Sequence, residues 1–148
     1  MTATNKRTLN ILLVEDNQHY VLLTREIMKS SVARVRLHVA EDGEQALSFL
    51  RREVPFEDAP RPDLILLDLN LPNINGREVL AMIKTDPDLL TIPVLVLTTS
   101  DAEEDVSVAY RLHANCFLTK PLNLDEFGRL MRLVEELWLR EAKLPPEA

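Results

Sequence analysis

The chain has 148 residues and a formal charge of −7, long enough for one domain with a proper core and too short for two comfortable ones. The acidic balance, with a pI near 5.0, disfavours a nucleic-acid footprint, which shows as a basic face. The opening stretch MTATNKRTLN lacks the apolar region of a signal peptide, and no apolar run approaches the roughly 20 residues that span a bilayer, so a cytoplasmic, membrane-free protein is expected. The single cysteine, Cys116, cannot form an internal disulfide and reads as a small buried hydrophobe.

In chain order, residues 9–14 form a continuous apolar run, as expected of a strand covered on both faces, followed by a helix over about 17–31. Residues 34–39 differ: Arg34, Arg36 and His38 alternate with Val35, Leu37 and Val39, the period-two pattern of a strand with one polar face and hence of a sheet edge. A helix over 43–53 follows, then the irregular VPFEDAPRP and a third strand at 63–67. Further alternation gives a helix at 75–85, a strand at 93–98, a helix at 101–112, a strand at 115–119 and a helix at 123–141. Asp42–Gln45, Asn75–Glu78, Ser100–Glu103 and Asn123–Glu126 each set a capping side chain three residues before Glu or Gln, which marks helix starts.

Strands alternating with helices predict an α/β fold, a doubly wound (βα)5 unit with a five-stranded parallel sheet in the flavodoxin-like order 2-1-3-4-5. A single domain spans residues 1–148, its core about 8–141, with flexible tails at 1–7 and 142–148. In such folds ligands bind beyond the carboxyl ends of the strands, where the strand order reverses. Glu15 and Asp16 follow the first strand and Asp68 the third, the two strands that flank the reversal. Thr98 ends the fourth strand and Lys120 follows the fifth.

Two carboxylates about 4 Å apart repel by roughly 4 kcal/mol at an effective dielectric of about 20, or some three pKa units. Three bare acids would not all stay ionised. A divalent cation with the Lys120 ammonium balances Glu15, Asp16 and Asp68, and Mg2+ is the expected ion, since Zn2+ would want His or Cys among the ligands. His19 is the one histidine close by in sequence and reads as a solvated residue of the first helix. Asp68 is the acid expected to react, because a carboxylate can accept a phosphoryl group to form an acyl phosphate. Asn70 can turn its backbone carbonyl to the same metal, and Thr98 can bond an oxygen of the new phosphate.

VEDN at 14–17, DLILLDLNLP at 63–72, PVLVLTTS at 93–100 and FLTKP at 117–121 together resemble the receiver domain of two-component response regulators over nearly the whole chain. The resemblance implies that Asp68 is phosphorylated by a sensor histidine kinase or phosphotransfer histidine. It implies that Glu15, Asp16 and Asp68 with the Asn70 carbonyl hold Mg2+, and that Thr98 and Lys120 are the switch hydroxyl and the phosphate-binding amine. Phe117 matches the aromatic whose rotamer follows phosphorylation, and the Lys120–Pro121 bond would be cis. RLHANCFLTKP and EELWL resemble more narrowly the stand-alone regulators paired with phytochrome-type kinases. Two departures stand out: His113-Ala114 replaces the usual Gly-Ala at the end of the fourth helix, and Thr99 stands where many members carry Ala.

The chemistry is that of a signalling switch rather than an enzyme. A phosphatase with an Asp nucleophile would want a second Asp where Asn70 stands, a flavin carrier would want hydroxyls where VEDNQHY offers carboxylates, and the intact acid, hydroxyl and amine set argues against a scaffold that is never phosphorylated. In the last helix, Leu124, Phe127, Met131, Val134 and Trp138 form one apolar stripe, assigned to the core. Leu130, Leu133 and Leu137 form a second, with Leu139 and Trp138 at its far end. One sheet face cannot cover both, so a homodimer through helix four, strand five and helix five is expected.

Overall fold

The computed structural model describes residues 7–146. Five strands, β1 (Leu9–Val14), β2 (Val35–Ala40), β3 (Leu64–Leu67), β4 (Val94–Thr98) and β5 (Cys116–Thr119), alternate with helices α1 (Gln18–Lys29), α2 (Gly43–Arg51), α3 (Gly76–Thr85), α4 (Glu103–Arg111) and α5 (Leu124–Val134). The strands are all parallel, in the order β2-β1-β3-β4-β5. The doubly wound topology read from the sequence is the one observed.

Side-chain alternation along each strand explains the continuous apolar runs. Ile11 and Leu13, Leu64 and Leu66, Leu95 and Leu97 meet Val21, Ile27, Phe127 and Met131 of α1 and α5 on one face. Leu12 and Val14, Ile65 and Leu67, Val94 and Val96 meet Leu47, Leu50, Val79, Ile83 and Ala109 of α2, α3 and α4 on the other. Both faces are dry, so every residue of the central strands must be apolar. At the edge, β2 turns Val35, Leu37 and Val39 to the α1 and α5 side, while Arg36 is exposed and the His38 ring lies 5.3 Å from that of Phe49.

Asn17, Asp42, Asn75 and Asn123 cap α1, α2, α3 and α5 by accepting from backbone N–H groups of the first turn. The Ser100–Glu103 box is a correction. α4 starts at Glu103 with Ala102 at its cap position and no capping side chain; the Ser100 oxygen accepts instead from Ala102 N at 3.3 Å, before the helix begins, while its proton goes to Asp105. At the other end of α4, His113 takes the left-handed conformation, φ 72°, and the bonds from His113 N to Tyr110 O and from Ala114 N to Ala109 O close the helix in the pattern that glycine usually serves.

Two further expectations change. Residues 135–141 form a π-helix, Glu135–Glu141, continuing α5. Its wider turn carries Leu139 into the core with Val134, five residues back, leaving Leu133 and Leu137 each 57% exposed. Leu139 therefore leaves the outer stripe, and Leu124, 45% exposed, leaves the core. Among the described residues the cis bond is Val54–Pro55, so Lys120–Pro121 is trans, the ordinary preference of X–Pro bonds, with the Pro121 carbonyl held by the Tyr20 hydroxyl at 3.1 Å. The described parts of the tails make contacts of their own: Arg7 pairs with Asp63 at 2.8 Å and donates to the Pro145 carbonyl at 2.8 Å.

Candidate phosphoacceptor site at the carboxyl edge of the sheet

Backbone pairing runs one residue past the strand ends and carries the site with it. Glu15 N donates to Ala40 O at 3.0 Å, Asp68 N to Val14 O at 3.1 Å and Lys120 N to Thr98 O at 2.6 Å. Glu15, Asp68 and Lys120 thus hang from the last rungs of the ladders, which fixes their Cα atoms as firmly as the strands themselves.

The structure brings together Glu15, Asp16, Asp68, Asn70, Thr98 and Lys120. Lys120 Nζ lies 2.5 Å from Glu15 Oε1 and 3.1 Å from Asp68 Oδ2, and all three side chains are buried. The remaining carboxylate oxygens accept backbone donors, Glu15 Oε2 from Asn17 N at 3.1 Å and Asp68 Oδ1 from Asn70 N at 3.0 Å. The Asn70 amide donates to Thr98 Oγ1 at 3.1 Å. Thr98 is fully buried, and Ser100 N also approaches its Oγ1, at 3.5 Å. Phe117 is half-buried against the α3 and α4 side of the core, and its backbone N–H donates to Tyr110 Oη at 3.2 Å.

Burial is the largest influence on Glu15 and raises its carboxyl above the ordinary glutamate value; the bond and charge of Lys120 work against this, and the Asp68 charge adds to it. For Lys120 burial is again the largest influence and works to depress the ammonium. The bond to Glu15 and the charges of Asp68 and Glu15 outweigh it and leave the pKa raised. Lys120 is consequently an ammonium at neutral pH, and its bond and charge oppose the effect of burial on Glu15.

Carboxylate oxygens of Glu15, Asp16 and Asp68 lie within 4.8 Å of one another, with Asp16 on the solvent side. An oxygen-only donor set with one open side fits a hard divalent cation that keeps water ligands, and it lacks the nitrogen or sulfur that zinc sites favour.

Sequence reasoning missed two neighbours. Tyr20, buried in α1, places its ring 4.3 Å below Lys120 Nζ; its position four residues after Asp16 shows only in the inward face it shares with Val21, Thr24, Ile27 and Met28. Asp105 accepts from the Ser100 hydroxyl and pairs with Arg77 of α3, a clasp that no local pattern announces. His19 is exposed. Cys116 is half-buried, and burial pushes its thiol above the ordinary value, which makes it a weak nucleophile.

Gly76 explains how the Asp68 backbone is accommodated. A Cβ there would meet the Asp68 carbonyl and come within 2.5 Å of Leu69 Cα, both backbone atoms that cannot swing away. Gly76→Ala should therefore cost about 3 kcal/mol of stability in denaturant unfolding. Gly128→Ala in α5, where a Cβ finds its nearest neighbour at 3.7 Å, should gain roughly 0.5–1 kcal/mol from helix propensity.

The chain is similar to known proteins over most of its length. The family model for the response regulator receiver domain matches residues 11–132. The response regulator Rcp1 of Synechocystis sp. (strain ATCC 27184 / PCC 6803 / Kazusa) is 49% identical over 135 residues, covering 91% of this chain and 92% of that protein. The crystal structure of the Mn(2+)-bound form of Rcp1 superposes with a TM-score of 0.91 at 48% identity, covering 93% of this chain and 99% of that one. That of the phosphorylated cyanobacterial phytochrome response regulator RcpA gives 0.92 at 46%, covering 95% and 100%. With the family model matched over residues 11–132 and a regulator 49% identical over 91% of this chain, the protein belongs to the response regulator receiver domain family.

Proposed function

We propose that this receiver accepts a phosphoryl group on Asp68 from a phosphohistidine of a sensor histidine kinase and thereby switches its protein contacts in a phosphorelay. The observation that carries this reading is the buried Asp68 carboxylate, held by Asn70 N on one oxygen and Lys120 Nζ on the other. An Asp68 oxygen attacks phosphorus in line, the phosphorus–nitrogen bond breaks, and its electron pair leaves with the donor imidazole, giving an acyl phosphate. Lys120 neutralises charge on the phosphoryl oxygens, and Thr98 donates its hydroxyl proton to one of them. A bound divalent cation, Mg2+ in this reading, supplies the remaining positive charge. Glu15, Asp16, Asp68 and the Asn70 carbonyl would hold it.

The likeness to RcpA, described as a phytochrome response regulator, supports a phytochrome-type kinase as donor. The chain is read as one domain acting in the cytoplasm; no helix among the described residues is long and apolar enough to cross a membrane. Asp68 is a carrier that shifts a two-state equilibrium, with Thr98 and Phe117 as its moving parts, and not the nucleophile of a turnover enzyme. Incubation with acetyl phosphate and Mg2+ should add about 80 Da to the intact mass, the label being lost in Asp68→Asn and after chelation. A label that survives Asp68→Asn would refute the assignment.

We further propose a homodimer through α4, β5 and α5. Leu133 and Leu137 stand exposed along α5 and its π-helical continuation, the first turn of α4 is acidic with Glu103, Glu104 and Asp105, and Arg129 and Arg132 of α5 are exposed. A two-fold axis between the copies would bury the leucines and bring these opposite charges together. Sedimentation at tens of micromolar should show a dimer that Leu133→Glu with Leu137→Glu converts to monomer; wild-type monomer both with and without phosphate would contradict it.

A further inference from the structure

We infer that Tyr20 is a positioning residue for the phosphate-binding amine: its ring is the floor on which the Lys120 ammonium rests, and its hydroxyl fixes the backbone that delivers that lysine. This rests on the role proposed above for Lys120.

Lys120 Nζ lies 4.3 Å from the Tyr20 ring centroid, well inside the range at which the negative face of an aromatic ring attracts a cation. Both side chains are buried, so little solvent screens the attraction. The Tyr20 hydroxyl donates to the carbonyl of Pro121 at 3.1 Å, the residue after Lys120, so ring and hydroxyl grip the two ends of one short segment. Phe127 of α5 meets the ring at 4.7 Å between centroids in an edge-to-face arrangement and is itself 1% exposed, which locks the floor in place.

The need for such a floor follows from the charges. In the resting state Lys120 is held by Glu15 and Asp68, yet phosphorylation turns Asp68 into an acyl phosphate and a divalent cation competes for the carboxylates. An ammonium held by those anions alone would have to exchange partners without support. The ring attracts the cation without competing for its hydrogen-bond donors in the plane of the acids, so the lysine stays desolvated and within reach while its partners change. Tyr20 never touches the phosphoryl group and acts only through Lys120.

The test compares Tyr20→Phe, which keeps the ring and loses the hydroxyl, with Tyr20→Met, which fills space without an aromatic face. Two quantities are read: the initial rate of labelling by acetyl phosphate with Mg2+, and the NMR shift of the Lys120 ε-methylene protons without donor or metal. Tyr20→Met should slow labelling by about tenfold, the loss of a buried cation–ring contact. Tyr20→Phe should restore most of that rate. The ε-methylene protons should lie upfield in wild type and Tyr20→Phe and return to the ordinary lysine position in Tyr20→Met. Unshifted protons in wild type, or a folded Tyr20→Met labelled at the wild-type rate, would overturn the inference. Should Tyr20→Met fail to fold, the shift in wild type and Tyr20→Phe decides alone. Wild type that takes no label at all would instead sink the Asp68 and Lys120 reading beneath it.

Discussion

One buried ammonium between two buried carboxylates sets the terms for the rest of the molecule. Lys120 bridges Glu15 and Asp68 at 2.5 and 3.1 Å, and taking such charges out of water costs several kcal/mol per ion unless geometry and further hydrogen bonds offset it. Asn17 N and Asn70 N supply those bonds to the acids, and the Tyr20 ring lies against the lysine. A hydrophobic cluster in the same place would hold the sheet edge at least as well. The arrangement makes sense as a receptacle for a group still more highly charged, which arrives with its own counter-ion.

The fold makes this cluster cheap to position and the cluster makes the fold responsive. Strands β1 and β3 are neighbours through most of their length, so Glu15 and Asp68 emerge side by side without any loop having to be ordered for the purpose. From there short connections lead outward. Asn70 reaches Thr98, the chain from Thr98 leads to Ser100, and Ser100 reaches Asp105, which Arg77 ties to α3. On the other flank Tyr110 of α4 receives the backbone N–H of Phe117 in the edge strand β5. A change of charge at Asp68 therefore bears on the start of α4 through hydrogen bonds with discrete partners, the kind of element that two states can share.

Much of this was legible in the residues. Apolar runs such as LILL and PVLVL ended in Asp68 and Thr98, and the polar alternation of Arg34, Arg36 and His38 placed β2 at the edge; those patterns depend on burial of whole strands, which period and composition report faithfully. The failures have a common character. Ser100 looked like a cap because its neighbour three residues on is Glu103, but its oxygen accepts from Ala102 N while its proton goes to Asp105, and the helix starts beyond it. Leu139 was assigned to the outer stripe by a period of 3.6, and the π-helix changed the period. Tyr20 drew no reading because its partner is 100 residues away in the chain, and local pattern carries no information on such contacts. His113 shows the reverse: the absent glycine was read correctly as a departure, and the backbone adopts the left-handed turn regardless, since the two closing hydrogen bonds outweigh its strain.

The charge balance itself is open to direct measurement. Titration of Mg2+ into wild type and Lys120→Met by calorimetry, at fixed ionic strength, compares a cation entering the acidic cluster with and without the resident ammonium. If Lys120 holds Glu15 and Asp68 by charge, the variant should bind Mg2+ at least about tenfold more tightly, because removing a nearby positive charge lowers the electrostatic cost of the ion. Equal or weaker affinity in the variant would mean that the acids are not balanced by the lysine, and the account of the site would fail.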